Sequence, residues 1–121
     1  MQQKYLKTES QEQIALFQWV NLQSHKYPLL ELLYHIPNGG KRDIGTARKL
    51  KAEGVKAGIP DLCLPVSKGG YHGLYIELKA GKNKPTANQC EWIEKLSKQG
   101  YYVAVCWGFE ECRKVLIDYL K

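Results

Sequence analysis

Asp61, Glu77 and Lys79 are the residues in this 121-residue chain whose types and spacing suit metal-assisted chemistry. Leu62 and Leu64 alternate after Asp61, Ser67-Lys68-Gly69-Gly70 is turn chemistry, and Leu74-Tyr75-Ile76-Glu77-Leu78-Lys79 alternates again, the pattern of a β-hairpin. A turn centred near Gly69 sets Asp61 opposite Glu77, with side chains roughly 5 Å apart. Strand periodicity sends Leu74, Ile76 and Leu78 to one face and Tyr75, Glu77 and Lys79 to the other. Two carboxylates at that separation repel by roughly 3 kcal/mol at an effective dielectric of about 20, so the pair needs a shared proton or a cation. Lys79 supplies part of the charge. A hard divalent ion, Mg²⁺ or Mn²⁺, held by oxygens of Asp61, Glu77 and the backbone carbonyl of Leu78, supplies the rest. Pro60 fixes its own φ and extends Ile59, so Asp61 enters its strand from a stiffened approach.

The formal net charge of +6 gathers beside these residues. Over 41–58, Lys41, Arg42, Arg48, Lys49, Lys51 and Lys56 stand against Asp43 and Glu53, a net of +4. Lys82 and Lys84 follow the hairpin. Such clusters hold a polyanionic backbone next to the carboxylates, or else form a solvated basic helix face. Asn38, Lys41 and Arg42 follow Pro37 in a glycine turn that either contacts a phosphate or is a simple turn. It is not a nucleotide-binding P-loop, because the upstream glycine is missing and Arg42 replaces the Ser or Thr that would bind magnesium.

The surrounding elements follow from periodicity and caps. A first helix spans 8–26, with Thr8/Gln11 or Ser10/Gln13 as capping boxes. Within it Glu12 falls between Leu16 and Trp19, and either favours the helix dipole from the exposed first turn or faces the metal site, directly or through water. The apolar run 29–36 reads as a strand, 46–53 as a short basic helix, and Pro85-Thr86 begins a further helix carrying Trp92, Ile93 and Leu96. Gln89 either closes that helix's cap with Thr86 or orients a water or phosphate near the site. A strand over 101–107 and a helix after Gly108 complete an α/β pattern with a mixed sheet flanked by helices, one domain over 1–121.

Four cysteines without metal-ligand spacing read as reduced thiols, and no run is long enough to span a membrane. Without the apolar core of a signal peptide at residues 1–7, the default expectation is a cytoplasmic protein. His25, His35 and His72 lack the spacing of a metal site or triad, while Tyr71, Tyr75, Tyr101 and Tyr102 read as packing residues before base-stacking ones.

Pro-Asp, a spacer and Glu-x-Lys resemble the PD-(D/E)xK nuclease superfamily. More narrowly, Asn38-Gly39-Gly40-Lys41-Arg42, Gly54-Val55-Lys56-Ala57-Gly58-Ile59-Pro60-Asp61, Ile76-Glu77-Leu78-Lys79 and Gln89 with Trp92 resemble the virus-type replication-repair nuclease (VRR-NUC) family. The resemblance implies a restriction-endonuclease-like core. It also implies a Mg²⁺- or Mn²⁺-dependent endonuclease for branched DNA such as a four-way junction, working as a homodimer, with a first-helix glutamate and Gln89 at the site. The alternatives are a flap or single-strand nuclease on the same site, and a non-catalytic nucleic-acid-binding module. The module leaves unexplained why carboxylates stand inside a phosphate-binding surface.

Overall fold

The structure is a computed structural model that describes residues 7–37 and 43–121; Asn38, Lys41 and Arg42 lie outside the described residues. Helix α1 (Glu9–Gln23) is opened by Thr8 and Gln11, of which each side chain accepts the other's backbone N–H, at 3.1 and 2.9 Å. This box satisfies two of the donors that a helix start leaves over. The run expected as a strand over 29–36 is mostly a 3₁₀ helix (Pro28–Leu32), followed by a strand β1 of two residues (Tyr34–His35). Pro28 accounts for the difference: its fixed φ suits the first turn of a helix, and it has no N–H to give a sheet. Helix α2 (Ile44–Ala52) begins before Thr46 because Asp43 is its cap. The Asp43 carboxylate accepts the Thr46 N–H at 2.8 Å and the Thr46 hydroxyl at 2.9 Å, bonds that hold its pKa below the usual value. No residue of α2 is buried, so cap and local bonds must sustain it.

Strands β2 (Leu62–Leu64) and β3 (Leu74–Lys79) pair antiparallel, Leu62 with Ile76, Cys63 with Tyr75 and Leu64 with Leu74. The same register carried one step further sets Asp61 across from Glu77. At the turn Lys68 and Tyr71 exchange backbone hydrogen bonds across Gly69 and Gly70, whose φ of 59° and 87° are those a type I′ hairpin turn requires. Three residues separate Leu64 from Lys68 and only two separate Tyr71 from Leu74, so the β2 arm accommodates one extra residue in a bulge near Pro65. From β3 the chain crosses through α3 (Ala87–Lys98) to β4 (Tyr102–Trp107), which pairs parallel with β3 along its whole length, and ends in α4 (Gly108–Leu120). With β1 antiparallel to β2, the order is β1-β2-β3-β4, a mixed sheet.

Alternation sorts this sheet cleanly. Leu62, Leu64, Leu74, Ile76, Leu78 and Cys106 form the core with Leu16 and Val20 of α1 and Cys112 and Leu116 of α4. The opposite face carries Asp61, Cys63, Tyr75, Glu77 and Lys79 and is approached by α3, which packs on β4 and reaches Glu77 through Gln89. The cysteines are free, Cys63, Cys106 and Cys112 buried and Cys90 exposed.

The loop that delivers Asp61 is fastened to α3. The Ala57 carbonyl accepts from the Asn88 side-chain amide at 2.9 Å and from the Trp92 indole at 3.1 Å. Gly58 follows at φ 87°, and a Cβ there would stand 2.7 Å from the Asn88 amide nitrogen. Gly54 also has positive φ, 104°, but faces open space. Gly54→Ala is therefore expected to cost about 1–2 kcal/mol from backbone strain alone, and Gly58→Ala more, because Asn88 must also move. Urea unfolding of the two variants measures the difference, and equal losses would remove the close approach from the account.

Candidate functional site

Glu77 is 1 % exposed on β3, and its surroundings treat the two carboxylate oxygens differently. Oε2 lies 3.4 Å from the Gln89 amide nitrogen and 3.9 Å from the Lys79 ammonium, itself 6 % exposed. Oε1 is buried and has no hydrogen-bond partner among the described residues. Burial first, and then the facing Asp61, push the Glu77 pKa up to about 9; Lys79 pulls the other way without cancelling them. Two ionised carboxylates have no hydrogen bond to share. A proton on Glu77 makes Asp61 its acceptor, which is why Asp61 raises Glu77 both as acceptor and as charge.

Asp61 is held from both sides. Its Oδ2 accepts the Leu78 N–H at 2.7 Å, while its carbonyl accepts the Ile36 N–H at 2.7 Å and lies 3.0 Å from His35 Nδ1. In an extended strand the N–H and C=O of one residue point to the same neighbour, so the Leu78 carbonyl also faces the Asp61 side. Gln89 closes the cap, one of the two roles expected of it, and also reaches the Glu77 carboxylate. Its amide oxygen accepts the Thr86 N–H at 2.9 Å to close the α3 cap, which turns the amide nitrogen towards Glu77.

Glu12 has another task than the one expected of a metal-facing residue. Its Oε2 accepts the Phe109 N–H at 2.5 Å, capping the first turn of α4. The α1 glutamate whose charge reaches Glu77 is Glu9, one turn earlier, where it raises the Glu77 pKa and accepts from the Asn83 amide at 3.2 Å. Asn83 in turn accepts the Trp107 indole N–H at 2.6 Å on its carbonyl. Sequence reasoning passed over Glu9 because 9 and 12 share a helix face, and only the capping of α4 separates their roles. A cleft of about 410 Å³ opens beside this corner, lined by Lys7, Thr8, Glu9, Ala80, Gly81, Lys82 and Asn83.

Arg48, Lys49, Lys51, Lys56, Lys82 and Lys84 are all exposed, and among the described residues none of them forms an ion pair. Lys95 and Lys98 on α3 differ, each held 3.0 Å from a glutamate four residues earlier. Net positive charge is thus left available on the segments that flank the carboxylates. The other tyrosines pack on one another, Tyr71 against Tyr102 at 5.1 Å and Tyr75 against Tyr101 at 5.2 Å between ring centroids.

The VRR-NUC domain matches residues 2–110 of the chain. The chain belongs to the VRR-NUC family. A solved structure titled VRR_NUC domain protein is 37 % identical and superposes with a TM-score of 0.81, covering 95 % of this chain and 89 % of that one. No match is found among curated proteins. A VRR-NUC domain has a restriction-endonuclease-like fold, and membership implies a nuclease acting on DNA. Nucleases of this PD-(D/E)xK type generally use divalent metals.

The residues present fit such an ion. A buried carboxylate oxygen without a partner, a second carboxylate across from it and a carbonyl directed to the same side are hard oxygen donors in want of a cation. Among the described residues no three His, Cys, Asp or Glu side chains converge, so the rest of a coordination shell would be backbone and water.

Two outcomes follow from this geometry. Without metal, the Glu77 pKa of about 9 lies above its unfolded value of 4.5, so the folded chain holds an extra proton between them. Stability then falls as pH rises through that window, by at most about 1.4 kcal/mol per pH unit. Thermal melts from pH 5 to 9 should show this slope in the parent and not in Glu77→Gln, and Mn²⁺ should raise the parent's melting temperature more at pH 8 than at pH 5.5. Separately, Glu12→Ala should lose about 1–2 kcal/mol as the α4 cap goes, with Mn²⁺ affinity by calorimetry within about twofold of the parent.

Proposed function

We propose that this VRR-NUC domain is a divalent-metal-dependent, structure-specific endonuclease that hydrolyses phosphodiester bonds in branched DNA. The observation that carries the reading is Glu77, a buried carboxylate facing Asp61 with one oxygen unpartnered, beside a buried lysine and between exposed basic segments. Asp61, Glu77 and the Leu78 carbonyl would hold Mg²⁺ or Mn²⁺, with Glu9 near enough to add its charge. Bound there, the ion supplies Lewis acidity at the scissile phosphate and lowers the pKa of a coordinated water.

The chain's own residues do the rest. Lys79, kept within 3.9 Å of Glu77, orients the attacking water and offsets the negative charge that grows on the phosphate oxygens. Gln89 fixes the Glu77 carboxylate through its amide nitrogen, and the Leu78 N–H fixes Asp61, so neither has much freedom left to lose. Arg48, Lys49, Lys51, Lys56, Lys82 and Lys84 hold the flanking backbone by phosphate contacts, which position without reading sequence. Asn38, Lys41 and Arg42 are proposed to extend this surface. A four-way junction has two-fold symmetry and calls for two symmetric cuts, which a C2 homodimer supplies.

Asp61→Ala, Glu77→Ala and Lys79→Ala are each expected to slow cleavage of a labelled junction by at least about a hundredfold, with junction binding retained in a gel-shift assay. Excess chelator should stop the parent. Undiminished cutting by Glu77→Ala would overturn the site, and undiminished cutting in chelator would remove the metal. Sedimentation showing only monomer, with no preference for junction over linear duplex, would reject the junction-resolving form and leave the nuclease.

A further inference from the structure

The sheet face that carries the carboxylates continues into a second cross-strand row, and that row ends in an open ring. The first row runs from Ile36 through Asp61 and Glu77 to Val105, and the second, two residues along each strand, from Tyr34 through Cys63 and Tyr75 to Val103. Leu62 and Leu64, on either side of Cys63, point into the core, which fixes Tyr34, Cys63 and Tyr75 on the side of Asp61 and Glu77. Within the second row Cys63 is 5 % exposed and Tyr75 is half-buried beneath Tyr101, whereas Tyr34 is 49 % exposed.

Tyr34 stands directly across from Cys63 in the register of β1 and β2. The Cys63 thiol beside it favours the neutral phenol and, with desolvation, pushes the Tyr34 pKa up to about 12. The ring therefore sits on the carboxylate side of the sheet, beside Cys63, and is open to solvent. One row and one strand separate Tyr34 from Asp61, about 8 Å at ordinary strand spacings. That is two to three base steps at the 3.4 Å rise of a DNA strand.

We propose that Tyr34 is a stacking platform for an unpaired base two to three steps from the scissile phosphate, so that this site selects DNA with an unpaired nucleotide at that distance from the cut. The proposal rests on the nuclease reading for the position of the phosphate. A base within duplex is already stacked on its neighbours, so only a base freed at a flap or branch point has a π-face to offer the ring. Continuity with the carboxylate row, and the exposed basic segments that flank Asp61 and Glu77 in sequence, favour nucleic acid as the occupant over an apolar partner. Tyr34 is then a positioning residue: its ring sets where the strand lies, and takes no part in the chemistry.

The test uses the full chain and a flap substrate carrying 2-aminopurine at the unpaired positions two and three nucleotides from the cut, with binding read by fluorescence in chelator and cleavage read in Mn²⁺. The parent and Tyr34→Phe should quench the probe on binding. Tyr34→Ala and Tyr34→Leu, with folding checked by circular dichroism, should not quench it. Tyr34→Ala should raise KM for the flap about tenfold or more, with kcat within about twofold and cleavage of fully paired DNA unchanged. Absence of quenching in the parent, equal quenching in Tyr34→Ala, or the same KM change on paired DNA would overturn the platform. Quenching that depends on Tyr34 in a parent that does not cleave would support the platform and sink the nuclease reading, whereas cleavage without Tyr34-dependent quenching would do the reverse.

Discussion

Two like charges that must face each other across β2 and β3 set the terms for the rest of the molecule. The hairpin register puts Asp61 opposite Glu77, and the sheet buries Glu77 almost completely, so each carboxylate needs something to offset it. Three neighbours answer that need: the Lys79 ammonium, the Gln89 amide nitrogen and the Leu78 N–H direct positive ends towards it. They do not suffice. One oxygen of Glu77 stays without a partner and the group holds its proton well above the usual range.

The hairpin was legible in the sequence because strand alternation has a period of two, and a one-residue slip would have sent Leu62, Leu64, Leu74 and Ile76 away from the core. That constraint fixes Asp61 against Glu77 without knowledge of the turn, and the strands hold their register although the β2 arm takes up one more residue on its way to Gly69. Caps were legible for the same local reason, as Thr8 with Gln11 and Thr86 with Gln89 show.

What the sequence left open depends on contacts between elements far apart in the chain. Glu9 and Glu12 lie three residues apart on one face of α1, and nothing local tells which of them meets the sheet's polar end; the answer comes from the Phe109 N–H, 97 residues later, which takes Glu12. Gln89 was legible as a cap, but an amide has two ends, and that its nitrogen meets the Glu77 carboxylate appears only once α3 is packed on the sheet. The strand expected over 29–36 gave way to a 3₁₀ helix since an apolar run alone does not distinguish the two. Tyr34 drew no notice as a lone aromatic in that run, and its place beside the carboxylates appears only once β1 is paired with β2.

The hairpin and α3 form one unbroken stretch of chain, and it holds Asp61, Glu77, Lys79 and Gln89 together. The loops that join them close over short sequence separations, and loop-closure entropy rises only slowly with length. Assembly of the polar centre therefore belongs to the low-contact-order part of the topology, whereas the core on the other face of the sheet waits on α1 and α4, which lie at the two ends of the described chain and must find each other across it. Chemistry and core are in this sense separable inheritances: one contiguous ββα segment carries the polar groups on one face of the sheet, and the flanking helices close the apolar core on the other.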